Sequence, residues 1–121
     1  MKSKILIVDD EKDLRDLISY FLTKADYEVA LAENGSDGFE KIQNWKPNLI
    51  ISDIRMPVCD GFELLKKISA SPEHTTPVMF ISGYVGGDED ELRKNPNCVG
   101  FILKPVNRTE LLDMVKHALV S

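Results

Sequence analysis

The 121-residue sequence has little of several features that mark particular classes of protein. Its two cysteines, Cys59 and Cys98, form no CxxC pair and have no histidine at metal-ligand spacing, which argues against a disulfide framework or a zinc site. No apolar run approaches the roughly 20 residues of a membrane helix, and the start, Met1 to Lys4 before a short apolar run, is too brief for a signal peptide. We therefore expect a cytoplasmic protein with two reduced thiols.

The sequence also has fewer basic than acidic residues. Fifteen lysines and arginines against twenty aspartates and glutamates give a net charge of −5, which argues against nucleic-acid binding by this domain. The chain has no internal repeat, low-complexity tract or Gly/Ser linker. Its hydrophobic fraction of 43% is ordinary for a folded protein, and its length fits one domain with one core. We predict a single domain over residues 1–121 that binds neither membranes nor nucleic acids.

Short apolar segments alternate along the chain with segments whose apolar residues recur at helical spacing. The apolar segments are KILIV (4–8), YEVALA (27–32), NLIIS (48–52), PVMFIS (77–82) and VGFIL (99–103). The helical segments are DLRDLISYFL (13–22), GSDGFEKIQNW (35–45), GFELLKKIS (61–69) and NRTELLDMVKHALV (107–120). The fourth of five helices is predicted only for 88–94, because 83–97 contains three glycines and a proline.

Continuous apolar strands of this kind are typical of parallel sheets that are covered by helices on both faces. Because strand–helix–strand connections are right-handed, five such units fold into a layered sandwich. The sequence therefore predicts the α/β class, with a doubly wound five-stranded parallel sheet and a (βα)5 order of elements.

Polar side chains stand at the carboxyl ends of four of the five predicted strands. Asp9 and Asp10 follow the first strand, Asp53 the third, Ser82 the fourth and Lys104 the fifth. In a doubly wound sheet, ligands bind outside these strand ends. Each residue has another explanation when taken singly, such as a helix cap or a turn residue. Polar residues at four strand ends along one edge of the sheet together indicate a site.

The residue types at this edge indicate phosphoryl-transfer chemistry. Three close carboxylates repel one another and raise one another's pKa, so the cluster needs compensating positive charge. Lys104 supplies one charge, and a hard divalent cation with oxygen ligands, Mg²⁺, supplies two more. A metal, a lysine, a hydroxyl group and a carboxylate nucleophile are the parts of a phosphoryl-transfer site. Glu11, beside Asp10, is interpreted as first-turn charge favoured by the helix dipole.

Four motifs in this order resemble the receiver domain of two-component response regulators over the whole chain: ILIVDDE, LIISDIRMPVCDG, FISG and FILKPV. The resemblance implies a flavodoxin-like fold with strand order 2-1-3-4-5. It also implies that Asp53 accepts a phosphoryl group from a phosphohistidine of a sensor histidine kinase or a phosphotransfer protein. The reaction depends on Mg²⁺, which Asp10 binds directly and Asp9 directly or through water. Asp53 and the main-chain carbonyl of Arg55 are the other protein ligands.

The resemblance implies further roles for residues of the fourth and fifth strands. Lys104 pairs with the phosphoryl oxygens, and Ser82 donates a hydrogen bond to the phosphoryl group once it is present. Phe101 occupies the switch position, where an aromatic ring turns inward as the hydroxyl group of Ser82 moves. The peptide bond between Lys104 and Pro105 is expected to be cis. The fourth helix, fifth strand and fifth helix are expected to form the face that an unknown output domain, a downstream protein or a second copy of the chain recognises.

Some positions match or depart from the family pattern in an informative way. Pro57 and Gly61 match the turn after the phosphorylated strand, whereas Cys59 stands where a methionine or another apolar residue is frequent. Phe101 has no phenol hydroxyl group to hold its inward state. The segment 83–97 leaves the length of the fourth helix open.

Two further residues, Arg55 and Tyr84, are expected to flank the entrance to the site. They lie two residues after Asp53 and two after Ser82. We interpret this bulky pair as restricting the access of water to the phosphoryl group and lengthening its lifetime.

The motifs favour a signalling switch that is not a turnover enzyme over three alternatives. An Mg²⁺-dependent hydrolase with an aspartyl-phosphate intermediate needs a second carboxylate two residues after its nucleophile, where this chain has Arg55. A flavin or nucleotide carrier needs a phosphate-cradling loop after the first strand, where Asp9, Asp10 and Glu11 repel phosphate. A receiver that only binds proteins would not need the full acidic and lysine set.

Overall fold

Five β-strands alternate with five α-helices in the computed structural model, which describes residues 2–71, 75–83 and 88–120 and gives no side-chain placement for Asp88. The strands are β1 (Lys4–Val8), β2 (Glu28–Ala32), β3 (Leu49–Asp53), β4 (Val78–Ser82) and β5 (Cys98–Leu103). The helices are α1 (Lys12–Lys24), α2 (Gly35–Trp45), α3 (Gly61–Ser69), α4 (Asp88–Arg93) and α5 (Arg108–Val120). The strand boundaries differ from the sequence prediction by at most one residue.

The strands form one parallel sheet in the order β2-β1-β3-β4-β5, which confirms the predicted doubly wound, flavodoxin-like topology. Side chains of successive strand residues point to opposite faces of the sheet. Along β1, Leu6 and Val8 therefore belong to one buried cluster, together with residues of α2, α3 and α4. Ile5 and Ile7 belong to the other, together with residues of α1 and α5. Burial on both faces explains why the strands read as continuous apolar runs.

The helix ends follow from local chemistry. Helix α2 ends where Lys46 adopts a left-handed conformation (φ 53°) immediately before Pro47. Helix α3 begins with a capping box, in which the Asp60 side chain accepts from the amide of Glu63 and the Glu63 side chain accepts from the amide of Asp60. At the start of α5, the amide of Glu110 donates to the Asn107 side chain at 3.0 Å, which is the capping contact expected there.

Helix α4 is the shortest of the described helices. It spans six residues, one fewer than predicted, and buries Leu92 against the sheet. Residues 84–87, which precede it, lie outside the described part of the chain.

Candidate functional site

Three carboxylates meet at the carboxyl edge of the sheet. Asp9 follows β1 and is fully buried, and Asp53 is the last residue of β3 with 6% of its surface exposed. Asp10 is exposed beside them. One oxygen from each of the three side chains lies within 4.8 Å of the others. The parallel arrangement of β1 and β3 is what brings these residues, distant in sequence, to one place.

Asp9 is held firmly in this cluster. Its Oδ1 accepts from the amide of Glu11 at 2.8 Å, and its main-chain carbonyl accepts from the Arg15 guanidinium group at 2.7 Å. Burial raises the pKa of Asp9 to about 6; the Glu11 amide opposes this rise, and repulsion from Asp53 adds to it. Its other oxygen, Oδ2, is buried and accepts no hydrogen bond from the described residues.

Asp53 sits between a backbone donor and an ammonium group. Its Oδ1 accepts from the amide of Ile54 at 2.8 Å, and its Oδ2 lies 3.5 Å from Nζ of Lys104. Burial raises the pKa of Asp53, although the attraction of Lys104 and the Ile54 hydrogen bond both act in the opposite direction. The local positive charge therefore does not fully compensate the buried carboxylate.

Lys104 bridges two carboxylates rather than one. Its Nζ lies 3.2 Å from Oε1 of Glu11, closer than the 3.5 Å to Oδ2 of Asp53. Burial by itself would lower the pKa of Lys104, but the combined attraction of Asp53 and Glu11 outweighs it and raises that pKa. The Lys104 amide donates to the carbonyl of Ser82 at 2.9 Å, and the peptide bond from Lys104 to Pro105 is cis.

The two predicted switch residues lie on neighbouring strands. Ser82 ends β4 and is 5% exposed, and Phe101 in β5 is half-buried. The Phe101 ring stacks on Phe80 with the centroids 6.1 Å apart. The Phe101 ring also contacts Arg93, whose guanidinium carbon lies 4.5 Å from the ring centroid. An aromatic ring and a cation on α4 therefore hold the Phe101 side chain.

The loop after β3 is tightly folded beside the acceptor. The amide of Gly61 donates to the carbonyl of Ile54, and the amide of Cys59 donates to the carbonyl of Pro57, both at 2.8 Å. Val58, which lies between Pro57 and Cys59, has a positive φ of 70° and is 80% exposed.

The two residues expected at the entrance differ in how far the structure describes them. Arg55 is exposed, with its guanidinium carbon 5.4 Å from the centroid of the Phe62 ring. Tyr84 lies outside the described residues.

Two contacts at the site were missed by sequence reasoning. The sequence indicates only first-turn helix charge for Glu11, yet its side chain makes no capping hydrogen bond and instead forms an ion pair with Lys104. Its position next to Asp10 at a strand end was a signal that could have indicated this role. The contact of Arg93 with Phe101 left no comparable signal, because it depends on how α4 packs beside β5.

The acidic cluster fits a magnesium ion. A buried carboxylate oxygen without a hydrogen-bond donor is costly, and Oδ2 of Asp9 is in that position among the described residues. The three carboxylates offer oxygen ligands, which Mg²⁺ prefers. The raised pKa values of Asp9 and Asp53 also indicate a shortage of positive charge that such an ion would correct.

Comparisons with known proteins agree with this geometry. A sequence model of the response regulator receiver domain matches residues 5–116. The chain is 33% identical over 118 residues to response regulator Rre1 of Synechocystis, covering 95% of this chain and 51% of that protein. It is 30% identical over 119 residues to sporulation initiation phosphotransferase F of Bacillus subtilis, covering 98% of this chain and 95% of that protein.

The fold agrees equally well with solved structures. The chemotaxis response regulator CheY4 of Vibrio cholerae superposes with a TM-score of 0.90 at 31% identity, covering 98% of this chain and 100% of that one. A CheY-like receiver domain from Methanospirillum hungatei gives a TM-score of 0.89 at 32% identity, covering 99% and 95%.

The relatives differ in length. The chain spans about half the length of Rre1 and 56% of the probable transcriptional regulator ycf29 of Porphyra purpurea. Within the described residues, no helix combines the length and the apolar character needed to cross a membrane. The family match, the sheet order and the acidic edge lead to one conclusion: this chain belongs to the response regulator receiver domain family.

Proposed function

We propose that this domain is a phosphorylation-dependent switch in which Asp53 is the phosphoacceptor. Receiver domains of two-component systems are signalling switches rather than typical turnover enzymes, and they interact with histidine kinases or phosphotransfer proteins. The observation that carries the proposal is the position of Asp53, whose carboxylate lies 3.5 Å from the Lys104 ammonium group and within 4.8 Å of oxygens from Asp9 and Asp10.

The proposed reaction transfers a phosphoryl group from a donor histidine to Asp53. A carboxylate oxygen of Asp53 forms the new O–P bond, the P–N bond to the donor imidazole breaks, and a proton is taken up by the leaving nitrogen. The Ile54 amide fixes the rotation of the carboxylate by holding Oδ1. Lys104, on the Oδ2 side, is then placed to pair with the phosphoryl oxygens.

Asp9, Asp10 and Asp53, with the main-chain carbonyl of Arg55, are the groups that would hold Mg²⁺ in this proposal. The ion supplies charge neutralisation for the acceptor and for the incoming phosphoryl oxygens. Asp9 contributes a buried oxygen that accepts no hydrogen bond from the described residues, and its main-chain carbonyl accepts one from Arg15. The exposed Asp10 offers its carboxylate from the solvent side.

The proposed switch couples Ser82 to Phe101. Ser82 ends β4 and Asp53 ends the adjacent strand β3, so in this proposal the Ser82 hydroxyl group donates to the phosphoryl group on Asp53. A movement of Ser82 would free space that the half-buried Phe101 ring can fill, which gives a two-state response. Because Phe101 contacts Arg93, a movement of the ring would also alter the packing of α4.

The proposed output surface is formed by α4, β5 and α5. Val99 and Leu103 on β5 are each 46% exposed, which gives this face an apolar component. It would bind an output domain, a downstream protein or, in the phosphorylated state, a second copy of the chain. A cytoplasmic location is part of the same proposal and is consistent with membership of the receiver domain family.

We extend the proposal to the lifetime of the phosphoryl group, which Arg55 and Tyr84 would lengthen by restricting water. Support comes from the exposed position of Arg55 two residues after the acceptor. Tyr84→Ala should increase the rate of autodephosphorylation, measured as loss of the phosphorylated mass after removal of the donor. An unchanged rate in both Tyr84→Ala and Arg55→Ala would contradict this extension.

Intact-mass spectrometry after incubation with Mg²⁺ and acetyl phosphate tests the proposed function. We expect a gain of one phosphoryl group in the parent, loss of that gain in Asp53→Asn, and retention of it in Asp60→Asn, a nearby carboxylate in the α3 capping box. No gain in the parent would favour a receiver that only binds proteins. Multiple turnover of a small phosphomonoester would favour the hydrolase alternative.

A further inference from the structure

Glu11 is placed beside the reactive groups and is not used to cap its helix. It is the N-cap residue of α1 in an extended conformation, and its side chain makes no capping hydrogen bond. Its amide donates to Oδ1 of Asp9, which fixes the residue next to the acidic cluster. Its side chain is 61% exposed, and its carboxylate reaches across the sheet edge to Lys104, 93 residues further along the chain.

The ammonium group of Lys104 is shared between Glu11 and the acceptor. Nζ lies 3.2 Å from Oε1 of Glu11 and 3.5 Å from Oδ2 of Asp53. Glu11 is not one of the three carboxylates that could jointly hold a cation among the described residues. Its contact is therefore with the lysine, and the two carboxylates compete for one positive charge.

We propose that Glu11 is a positioning residue that holds the Lys104 ammonium group partly away from the acceptor and so limits the rate of phosphoryl transfer. This inference rests on the proposed function, because it concerns the lysine assigned to the phosphoryl oxygens. During transfer, Lys104 must exchange the Glu11 carboxylate for a phosphoryl oxygen. This exchange slows phosphorylation of the resting domain.

The expected size of the effect follows from the exposure of the pair. Exposed ion pairs are weak and are screened by salt, so removal of Glu11 should change the rate about two- to fivefold at low ionic strength and less at high ionic strength. Glu11→Gln keeps the length of the side chain and removes its charge. Asp13→Asn is the matched control, because Asp13 is an exposed acidic residue in the first turn of the same helix.

The experiment measures the second-order rate constant for phosphorylation by acetyl phosphate at saturating Mg²⁺. It compares the parent, Glu11→Gln and Asp13→Asn, and then the same three proteins with Lys104→Gln added. We expect Glu11→Gln to be faster than Asp13→Asn when Lys104 is present and equal to it when Lys104 is replaced. Calorimetry should give a Mg²⁺ Kd for Glu11→Gln within about twofold of the parent value, and urea unfolding should verify that each variant is folded.

The outcomes separate the inference from the proposed function. If the parent gains no phosphoryl group on Asp53, the proposed function fails. If the parent is phosphorylated but Glu11→Gln and Asp13→Asn react at the same rate with Lys104 present, only the inference fails. A Glu11→Gln effect that persists in the Lys104→Gln background would also overturn it, because Glu11 would then act without the lysine.

Discussion

At the scale of single residues, the burial of Asp9 has a measurable electrostatic cost. The pKa of this carboxyl group is about 6 in the folded protein and 3.8 when exposed, chiefly because of burial. An acid whose folded-state pKa lies above its unfolded value binds more protons in the folded state over that interval. The contribution of Asp9 to the free energy of unfolding therefore decreases as the pH rises from about 4 to about 6 in the absence of metal.

Asp9→Asn should remove this cost. In Mg²⁺-free buffer at pH 7, urea unfolding should give a variant more stable than the parent by up to about 3 kcal/mol, from roughly two pKa units at about 1.4 kcal/mol each. The gain should shrink as the pH is lowered toward 4. Added Mg²⁺ should stabilise the parent and not the variant. Glu40→Gln, a substitution at an exposed position of α2, is the control. A gain in the stability of Asp9→Asn that did not depend on pH would contradict this explanation.

Gly61 is required by close packing beside the acceptor. A Cβ atom there would lie 2.8 Å from the carbonyl oxygen of Asp53 and 3.0 Å from Cα of Ile54, and both are backbone atoms. The hydrogen bond from the Gly61 amide to Ile54 prevents the loop from moving aside. Gly61→Ala should lower the free energy of unfolding by about 1–3 kcal/mol. Gly83→Ala is the control, since no described atom lies within 4 Å of its added Cβ, and equal losses would be contrary to this reasoning.

At the scale of elements, a cation–π contact is part of the packing between α4 and β5. Arg93 on α4 lies over the Phe101 ring and is also 3.5 Å from Glu89 on the same helix. A double-mutant cycle with Arg93→Gln and Phe101→Leu, measured by urea unfolding, should give a coupling energy of about 0.5–1 kcal/mol. The same cycle with Lys94→Gln, whose ammonium group pairs with Glu91, should give none. Equal couplings would remove Arg93 from the proposed switch.

The sequence predicts the elements themselves better than the side-chain contacts between them. The strands were predicted to within one residue because burial on both faces leaves continuous apolar runs. The meeting of Asp9, Asp10, Asp53 and Lys104 followed from parallel topology alone, since all of them stand at strand ends. The partner of Glu11 and the contact of Arg93 depend on side-chain positions between elements, which no local pattern encodes. The glycines and the proline of the surrounding segment 83–97 indicate a short α4, but they do not indicate how this helix packs.

At the scale of the whole molecule, the sheet separates two regions with different proposed tasks. The carboxyl edge gathers the buried carboxylates and Lys104, and the α4–β5–α5 face carries the exposed apolar residues of β5. Phe101 lies between them, stacked on Phe80 of the core. In the proposed function, the covalent change occurs at one residue of the edge, Asp53.

Borohydride trapping tests that requirement most directly. Borohydride reduces an acyl phosphate to a primary alcohol and releases phosphate, so a phosphorylated aspartate becomes homoserine. After incubation with acetyl phosphate and Mg²⁺, reduction and peptide mass spectrometry, the account predicts homoserine at position 53 alone, and none when EDTA replaces Mg²⁺. Homoserine at another aspartate, or none at any position in the sample with Mg²⁺, would contradict it.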